Sequence, residues 1–208
     1  NLFEKETDFL LWTNSSSKSL FIRQKQHLAE EYQRENARKS GAKAWKTIND
    51  WEFTKVYHFG NPDPSLYAFI EGLMLASYRF DKYKSKKKKA PQSLEIVCQH
   101  IDPVIIKDLE STVNATFEAR DLINEPVSYL DAIQLGEEIK VLGEKYGFET
   151  DIFGKAKITS LKMAGLLAVN AGSKVPPLFA VLKYIPKKQK SQNPIVLVGK
   201  GIVYDTGG

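Results

Sequence analysis

The sequence predicts an α/β protein in two parts joined by one helix. Short apolar runs typical of strands alternate with segments whose apolar residues recur at helical spacing. Two helical segments begin with an Asp-Pro pair, Asp63-Pro64 and Asp102-Pro103, which is a favourable helix start. In the second half of the chain a helix pattern is followed by a strand pattern, as in an α/β unit. We therefore expect a mixed α/β domain over residues 1–101, a connecting helix over 102–125 and the first part of a second α/β domain over 126–208.

Composition places the chain in the soluble globular class. It has 208 residues, of which 42% are hydrophobic and 26% charged, and it is long enough to bury a core. No apolar run has the length of a membrane span, and the N-terminus lacks the order of a signal peptide. We expect a cytoplasmic protein. A single cysteine excludes an internal disulfide, and the three histidines form no zinc-binding pattern, so any metal must be held by carboxylates and lysine.

The net charge of +5 and the pI of about 9.1 raise the alternative of a noncatalytic protein that binds DNA or another polyanion. Much of the excess lies in two lysine groups: Lys82, Lys84, Lys86, Lys87, Lys88 and Lys89, and Lys187, Lys188 and Lys190. Few aromatic residues interleave these lysines, which favours solvated loops. Weak nucleic-acid binding at low salt remains open.

The first part of the chain reads as strands and two helices. We expect strands at residues 9–12, 20–22, 53–59 and 94–99, with a turn at 14–17. Residues 25–39 are compatible with a helix, although their apolar face is thin. A second helix starts at Pro64 and buries a stripe formed by Leu66, Phe69, Ile70, Leu73 and Met74.

The remaining elements follow the second Asp-Pro pair. The connecting helix has a face of Ile106, Leu109, Val113 and Phe117, and it stops before Pro126. Ser128 and Asp131 resemble a capping box for the next helix, whose buried stripe would be Leu135, Ile139, Leu142 and Tyr146 and whose stop would be Gly147. A strand at 148–153, a helix within 161–172 and a strand at 177–184 come next. A polar loop over 186–193 then leads to a last strand.

That last strand opens the segment PIVLVGKGIVYDTGG, residues 194–208, which is the most informative stretch of the chain. The run 195–198 is typical of a short buried strand, and Lys200 follows between two glycines. A phosphate-binding loop is excluded, because Pro194 and Gly201 stand where that motif needs glycine and Ser or Thr. The other chemical interpretation places the amine of Lys200 and the carboxylate of Asp205 at one metal centre. An amine ligates only when neutral, so burial and cation charge would have to lower its pKa.

A simpler alternative for Lys200 and Asp205 is a solvated lysine at a glycine-flanked strand end, followed by an Asx turn.

Four stretches resemble the leucyl aminopeptidase family. VGKGIVYDTGG is similar to the family signature VGKGITFDSGG, with Tyr204 and Thr206 in place of Phe and Ser. EGLMLASYRFDKYKS at 71–85 resembles EGLLLGAYRFDRYKS, and ARDLINEP at 119–126 resembles ARDLVNTP. LKMAGLLAVNAG at 161–172 is similar to the family's MGALLAVGQGS region.

The resemblance implies a cytosolic, hexameric, dinuclear metallo-aminopeptidase that takes peptides with a free N-terminus. It implies that Lys200 and Asp205 each bind metal, Zn or Mn, and that 126–208 begins the metallopeptidase domain. The family's other metal ligands and its catalytic lysine and arginine are expected after Gly208, so we expect no catalytic residue within this segment. Two ligands cannot hold two ions, and the 208-residue chain alone is therefore predicted to be inactive. An inactive structural homologue is a further alternative.

Overall fold

The computed structural model describes residues 9–13, 18–22, 29–53, 55–57, 62–86, 94–98, 100–186 and 193–203. The chain forms two compact units, residues 1–123 and residues 124–208. Helices and strands occur in both units, as the predicted α/β class requires. None of the helices in the described part of the chain combines the length and apolar composition needed to cross a membrane.

Two small sheets belong to the first unit. Strands β1 (Phe9–Thr13) and β2 (Lys18–Ile22) pair antiparallel, which confirms the two predicted strands, while the predicted turn at 14–17 lies outside the described residues. Strands β3 (Lys55–Tyr57) and β4 (Glu95–Val97) pair in parallel. The predicted residues 53, 94 and 98 lie outside these strands, whereas the predicted residues 54, 58, 59 and 99 lie outside the described part of the chain.

The core of the first unit forms between α1 (Glu30–Asp50) and α2 (Pro64–Ala76). Helix α1 continues eleven residues beyond the predicted end at residue 39. Its buried face consists mostly of small residues, Ala37, Gly41, Ala44 and Ile48. Such a face looks thin in the sequence. Small side chains nevertheless let two helices approach closely, and the packing of α1 against α2 accounts for the greater length of α1.

Helix α2 begins as predicted. The side chain of Asp63 accepts a hydrogen bond of 2.8 Å from the backbone N–H of Leu66, and Pro64 occupies the first turn. Four members of its predicted stripe are buried, Leu66, Phe69, Ile70 and Leu73, while Met74 is half-buried.

Helix α3 (Pro103–Asn124) confirms the predicted long helix and groups with the first unit. The Asp102 side chain accepts a hydrogen bond from the N–H of Val104. Within the predicted face, Val113 is buried and Ile106, Leu109 and Phe117 are half-buried. The predicted boundaries at 101/102 and 125/126 stay a prediction.

The second unit contains α4 (Ala132–Tyr146), β5 (Glu149–Phe153), α5 (Lys155–Ser160), α6 (Ala164–Asn170) and β6 (Phe179–Lys183). Strands β5 and β6 pair antiparallel. Three predictions are thereby confirmed to within one or two residues at most bounds: the strand at 148–153, the helix within 161–172 and the strand at 177–184. Helix α5 was not predicted; its Ile158 is fully buried.

Two predictions for α4 are wrong. Its N-cap is Asp131, whose side chain accepts from the N–H of Gln134 at 2.9 Å, whereas Ser128 lies in the preceding turn. The fully buried positions of α4 are Gly136 and Gly143, while Leu135, Ile139 and Leu142 are half-buried and Tyr146 is exposed. The glycines are buried because Leu178 and Thr150 press directly against them. The stop at Gly147 is confirmed, since its φ of 74° is the left-handed conformation that glycine tolerates.

Candidate metal centre

Lys200 lies in an irregular, solvent-exposed segment. Residues 193–203 adopt no helix or strand, and the side chains of Ile195, Leu197 and Val198 are 91%, 92% and 94% exposed. The predicted buried strand over the run 195–198 is therefore wrong. A strand is stable when a neighbouring strand takes its hydrogen bonds and another layer covers its side chains. Within the described residues, neither partner lies beside this segment.

The structure shows one of the two proposed ligands. Lys200 is exposed, so the burial that was expected to help neutralise its amine is missing here. Asp205 lies outside the described residues, as do Tyr204 and Thr206. The structure thus does not bring the predicted pair together, and the ligand roles stay a prediction.

The segment reaches helix α4 directly after Lys200. A Cβ atom placed on Gly201 would lie 3.8 Å from Cδ2 of Leu135, and Val203 is half-buried. Gly199, in contrast, has open space around its Cα. The glycines flanking Lys200 therefore differ, because only Gly201 is close to the body of the second unit.

A cavity of about 410 Å³ lies beside α4. Its lining comprises Ile133, Glu137, Lys140, Glu144, Thr150, Ile152, Gly154 and Leu178. The amine of Lys140 is 2.7 Å from a carboxylate oxygen of Glu137, so these two charges largely offset each other. The lining mixes apolar side chains with Glu137, Lys140, Glu144 and Thr150, and its two carboxylates are fewer than the converging donors that a metal site needs.

The described residues offer few donors for a metal pair. Among the described residues, no three His, Cys, Asp or Glu side chains come close enough to hold an ion. A neutral amine and a carboxylate are suitable donor types for divalent ions, but two donors do not fill two coordination spheres. The residues present fit the chemistry of a metal centre only in part.

The first lysine group is partly engaged in local contacts. Lys84 lies 2.8 Å from a carboxylate oxygen of Asp81, and the amine of Lys82 lies 5.5 Å from the ring centroid of Tyr83. Lys87, Lys88 and Lys89 lie outside the described residues, as does the second lysine group. The polyanion-binding alternative therefore stays a prediction.

Sequence reasoning missed the contacts of Arg120 and Asp121. The guanidinium of Arg120 donates to the carbonyl oxygen of Leu75, and the hydroxyl of Tyr78 donates to Asp121. In the sequence, the only signal for these contacts was that the segments 71–85 and 119–126 both resemble the leucyl aminopeptidase family. Helical periodicity does not show which two helix ends meet.

The chain is similar in sequence to two domains of one family. Residues 28–87 match the N-terminal domain of the cytosol aminopeptidase family, and residues 117–208 match its catalytic domain. A probable cytosol aminopeptidase of Chloroherpeton thalassium is 36% identical over 188 residues, which cover 81% of this chain and 35% of the relative. One from Aquifex aeolicus is 39% identical over 142 residues, covering 68% of this chain and 29% of the relative. The chain thus spans about a third of the length of the curated relatives it matches.

Solved structures show the same fold. A tomato leucine aminopeptidase mutant superposes with a TM-score of 0.74 and 21% identity, over 87% of this chain and 39% of its own. The bottromycin maturation enzyme BotP in complex with Mn gives a TM-score of 0.70 and 21% identity, over 86% of this chain and 39% of its own. The two domain matches occur in the family's order and together include more than two thirds of the residues. The chain belongs to the cytosol aminopeptidase family.

Proposed function

We propose that this chain supplies the N-terminal domain and the first part of the catalytic domain of a metal-dependent aminopeptidase. The observation that carries the proposal is the match of residues 117–208 to the family's catalytic domain, a range that contains Lys200 and Asp205. The intact enzyme would release amino acids from peptides with a free N-terminus. By the same resemblance it would be a cytoplasmic hexamer.

The proposed metal ligands are Lys200 and Asp205, with Zn or Mn as the ions. One protein of the same fold is in complex with Mn, which supports a divalent ion. A bound metal pair supplies an activated water and polarises the peptide carbonyl. From this chain, Lys200 would contribute a neutral nitrogen and Asp205 an anionic oxygen that offsets part of the cation charge. Ligation by Lys200 requires the neutral amine, a form that burial by further protein would favour.

The exposure of the second unit supports a larger catalytic domain. Val181 and Leu182 are neighbours in β6 and therefore point to opposite faces of the sheet, yet they are 42% and 51% exposed. A two-stranded sheet is marginal by itself and gains stability when more strands and helices cover it. Helices packed on the two faces of a larger sheet would cover these side chains, and further strands would give residues 195–198 a sheet to join.

The ligand roles are tested by counting metal. In the longer enzyme that contains this segment, Asp205→Ala should lower the bound Mn or Zn per chain and reduce turnover of a leucine anilide by at least about a hundredfold. Lys200→Met should do the same, since it removes the nitrogen and keeps much of the volume. Mass spectrometry of the purified protein gives the metal stoichiometry. Lys174→Ala, a change at another exposed loop lysine, is the matched control and should alter neither quantity.

Unchanged metal content in both Asp205→Ala and Lys200→Met would refute the ligand assignment. The 208-residue chain should show no metal-dependent release of leucine under the same conditions. Turnover by this chain that chelator abolishes would contradict its predicted inactivity.

A further inference from the structure

Two segments that the sequence analysis singled out meet at the end of α2 and the last turns of α3. The hydroxyl of Tyr78 donates a hydrogen bond of 2.7 Å to a carboxylate oxygen of Asp121. Arg120 donates one of 2.9 Å from Nη1 to the carbonyl oxygen of Leu75. The ring of Tyr78 lies 5.2 Å from that of Phe117 and 5.4 Å from the guanidinium carbon of Arg120.

The contact between Arg120 and Leu75 meets a general need of helix ends. Leu75 belongs to the last turn of α2, where carbonyl groups have no partner within the helix. A cationic donor at this end also interacts favourably with the helix dipole. The tilted packing of Tyr78 against Phe117 adds apolar contact beside the same hydrogen bonds.

Burial alone does little to hold the last turns of α3. Val113 is the buried residue of the helix, and from residue 114 to residue 124 every side chain is half-buried or exposed. Ile123, the final residue of the first unit, is 81% exposed. Helix ends with few buried contacts open locally at low free-energy cost. The hydrogen bonds to Leu75 and Tyr78 are therefore what distinguishes these turns from a frayed end.

We propose that Leu75, Tyr78, Phe117, Arg120 and Asp121 form a latch that fixes the last two turns of α3 against the end of α2. This role is separate from metal binding, since the five residues are all in the first unit. The latch gives a structural role to the segments 71–85 and 119–126, for which the resemblance to the aminopeptidase family implied no catalytic role.

Hydrogen exchange of the 208-residue chain tests the latch. Arg120→Ala should accelerate exchange of the amides at 118–123 about tenfold, because it removes a charged donor from Leu75. Tyr78→Phe keeps the ring and removes one hydroxyl, and it should give about a threefold increase. Amides of the α1–α2 core, such as those of Ile70 and Leu73, should exchange as before. Lys107→Ala, at an exposed position near the start of α3, is the control and should change neither group.

A double-mutant comparison isolates the Tyr78–Asp121 hydrogen bond. Asp121→Ala should accelerate exchange like Tyr78→Phe, and the double variant should add little to either change. Unchanged exchange at 118–123 in Arg120→Ala and Tyr78→Phe would overturn the latch. An equal acceleration throughout the first unit would also overturn it, because these residues would then support general stability.

Discussion

Two glycines carry the closest helix packing in the first unit. A Cβ atom on Gly41 would overlap the carbonyl oxygen of Phe69, and one on Gly72 would overlap the carbonyl oxygen of Arg38. The clashes are reciprocal, since each glycine of one helix meets backbone of the other. Arg38 also ties the helices together through its side chain, which binds Glu71 at 2.9 Å.

Gly72→Ala should destabilise the first unit by about 3 kcal/mol, because the new methyl group meets backbone that cannot rotate away. Urea denaturation followed by circular dichroism gives the change in free energy of unfolding. Gly165→Ala is the matched control: nothing lies within 4 Å of its added Cβ, and alanine is the better helix former in α6. A loss in Gly72→Ala no larger than in Gly165→Ala would contradict the close packing.

Asp81 makes the stability of the first unit depend on pH. The hydrogen bond from Lys84, together with the nearby charge of Arg79, lowers the pKa of the Asp81 carboxyl in the folded protein. A folded-state pKa below the unfolded value means that ionised Asp81 stabilises the fold above the unfolded pKa, and that this contribution is lost as the pH falls through the folded pKa. Asp81→Asn should therefore lower stability at pH 7, and the difference from the parent should vanish as the pH falls from about 5 to about 2. Urea midpoints across that range measure it, and a difference independent of pH would contradict the ion-pair origin.

At the scale of secondary-structure elements, caps decide where two helices begin. Asp63 and Asp131 each accept a backbone N–H three residues ahead, which satisfies one of the donors that a helix start leaves without a partner. The sequence pattern identified Asp63 correctly. It wrongly placed the start of α4 at Ser128. Ser128 and Asp131 are both residue types that cap helices well, so the sequence pattern alone did not distinguish them.

Asp131→Ala should lower the free energy of unfolding of the second unit by about 1 kcal/mol, because the N–H of Gln134 loses its acceptor. Ser128→Ala should change it by no more than about 0.5 kcal/mol, since Ser128 is exposed in the preceding turn. Thermal unfolding of both variants measures the contrast. A larger loss in Ser128→Ala than in Asp131→Ala would restore Ser128 as the cap.

At the scale of the whole molecule, each unit has its own buried residues. Leu73 is 2% exposed in the core of the first unit, and Ile158 is fully buried in the second. A compact unit with its own core can unfold as a cooperative whole. The two units should therefore respond separately to core mutations.

Leu73→Ala and Ile158→Ala should each cost about 2–5 kcal/mol, because each leaves a cavity in a packed site. Calorimetry of the 208-residue chain should show two unfolding transitions, and each variant should lower the midpoint temperature of a different one. Tyr32→Ala, at an exposed position of α1, should lower neither by a comparable amount. A single transition shifted equally by both core variants would contradict independent units.

Local chemistry in the sequence determined much of this protein: the Asp63 cap, the Gly147 stop, the apolar stripe of α2, and the signature around Lys200 that indicates family membership. These features depend on residues a few positions apart, so periodicity and capping rules reach them. Tertiary structure alone decided the length of α1, the burial of Gly136 and Gly143, the helix α5 and the pairing of Arg120 with α2. It also decided that residues 195–198 form no strand here. Each of those outcomes depends on which distant backbone lies alongside, and a strand or a small-residue helix face acquires its stability only from that neighbour.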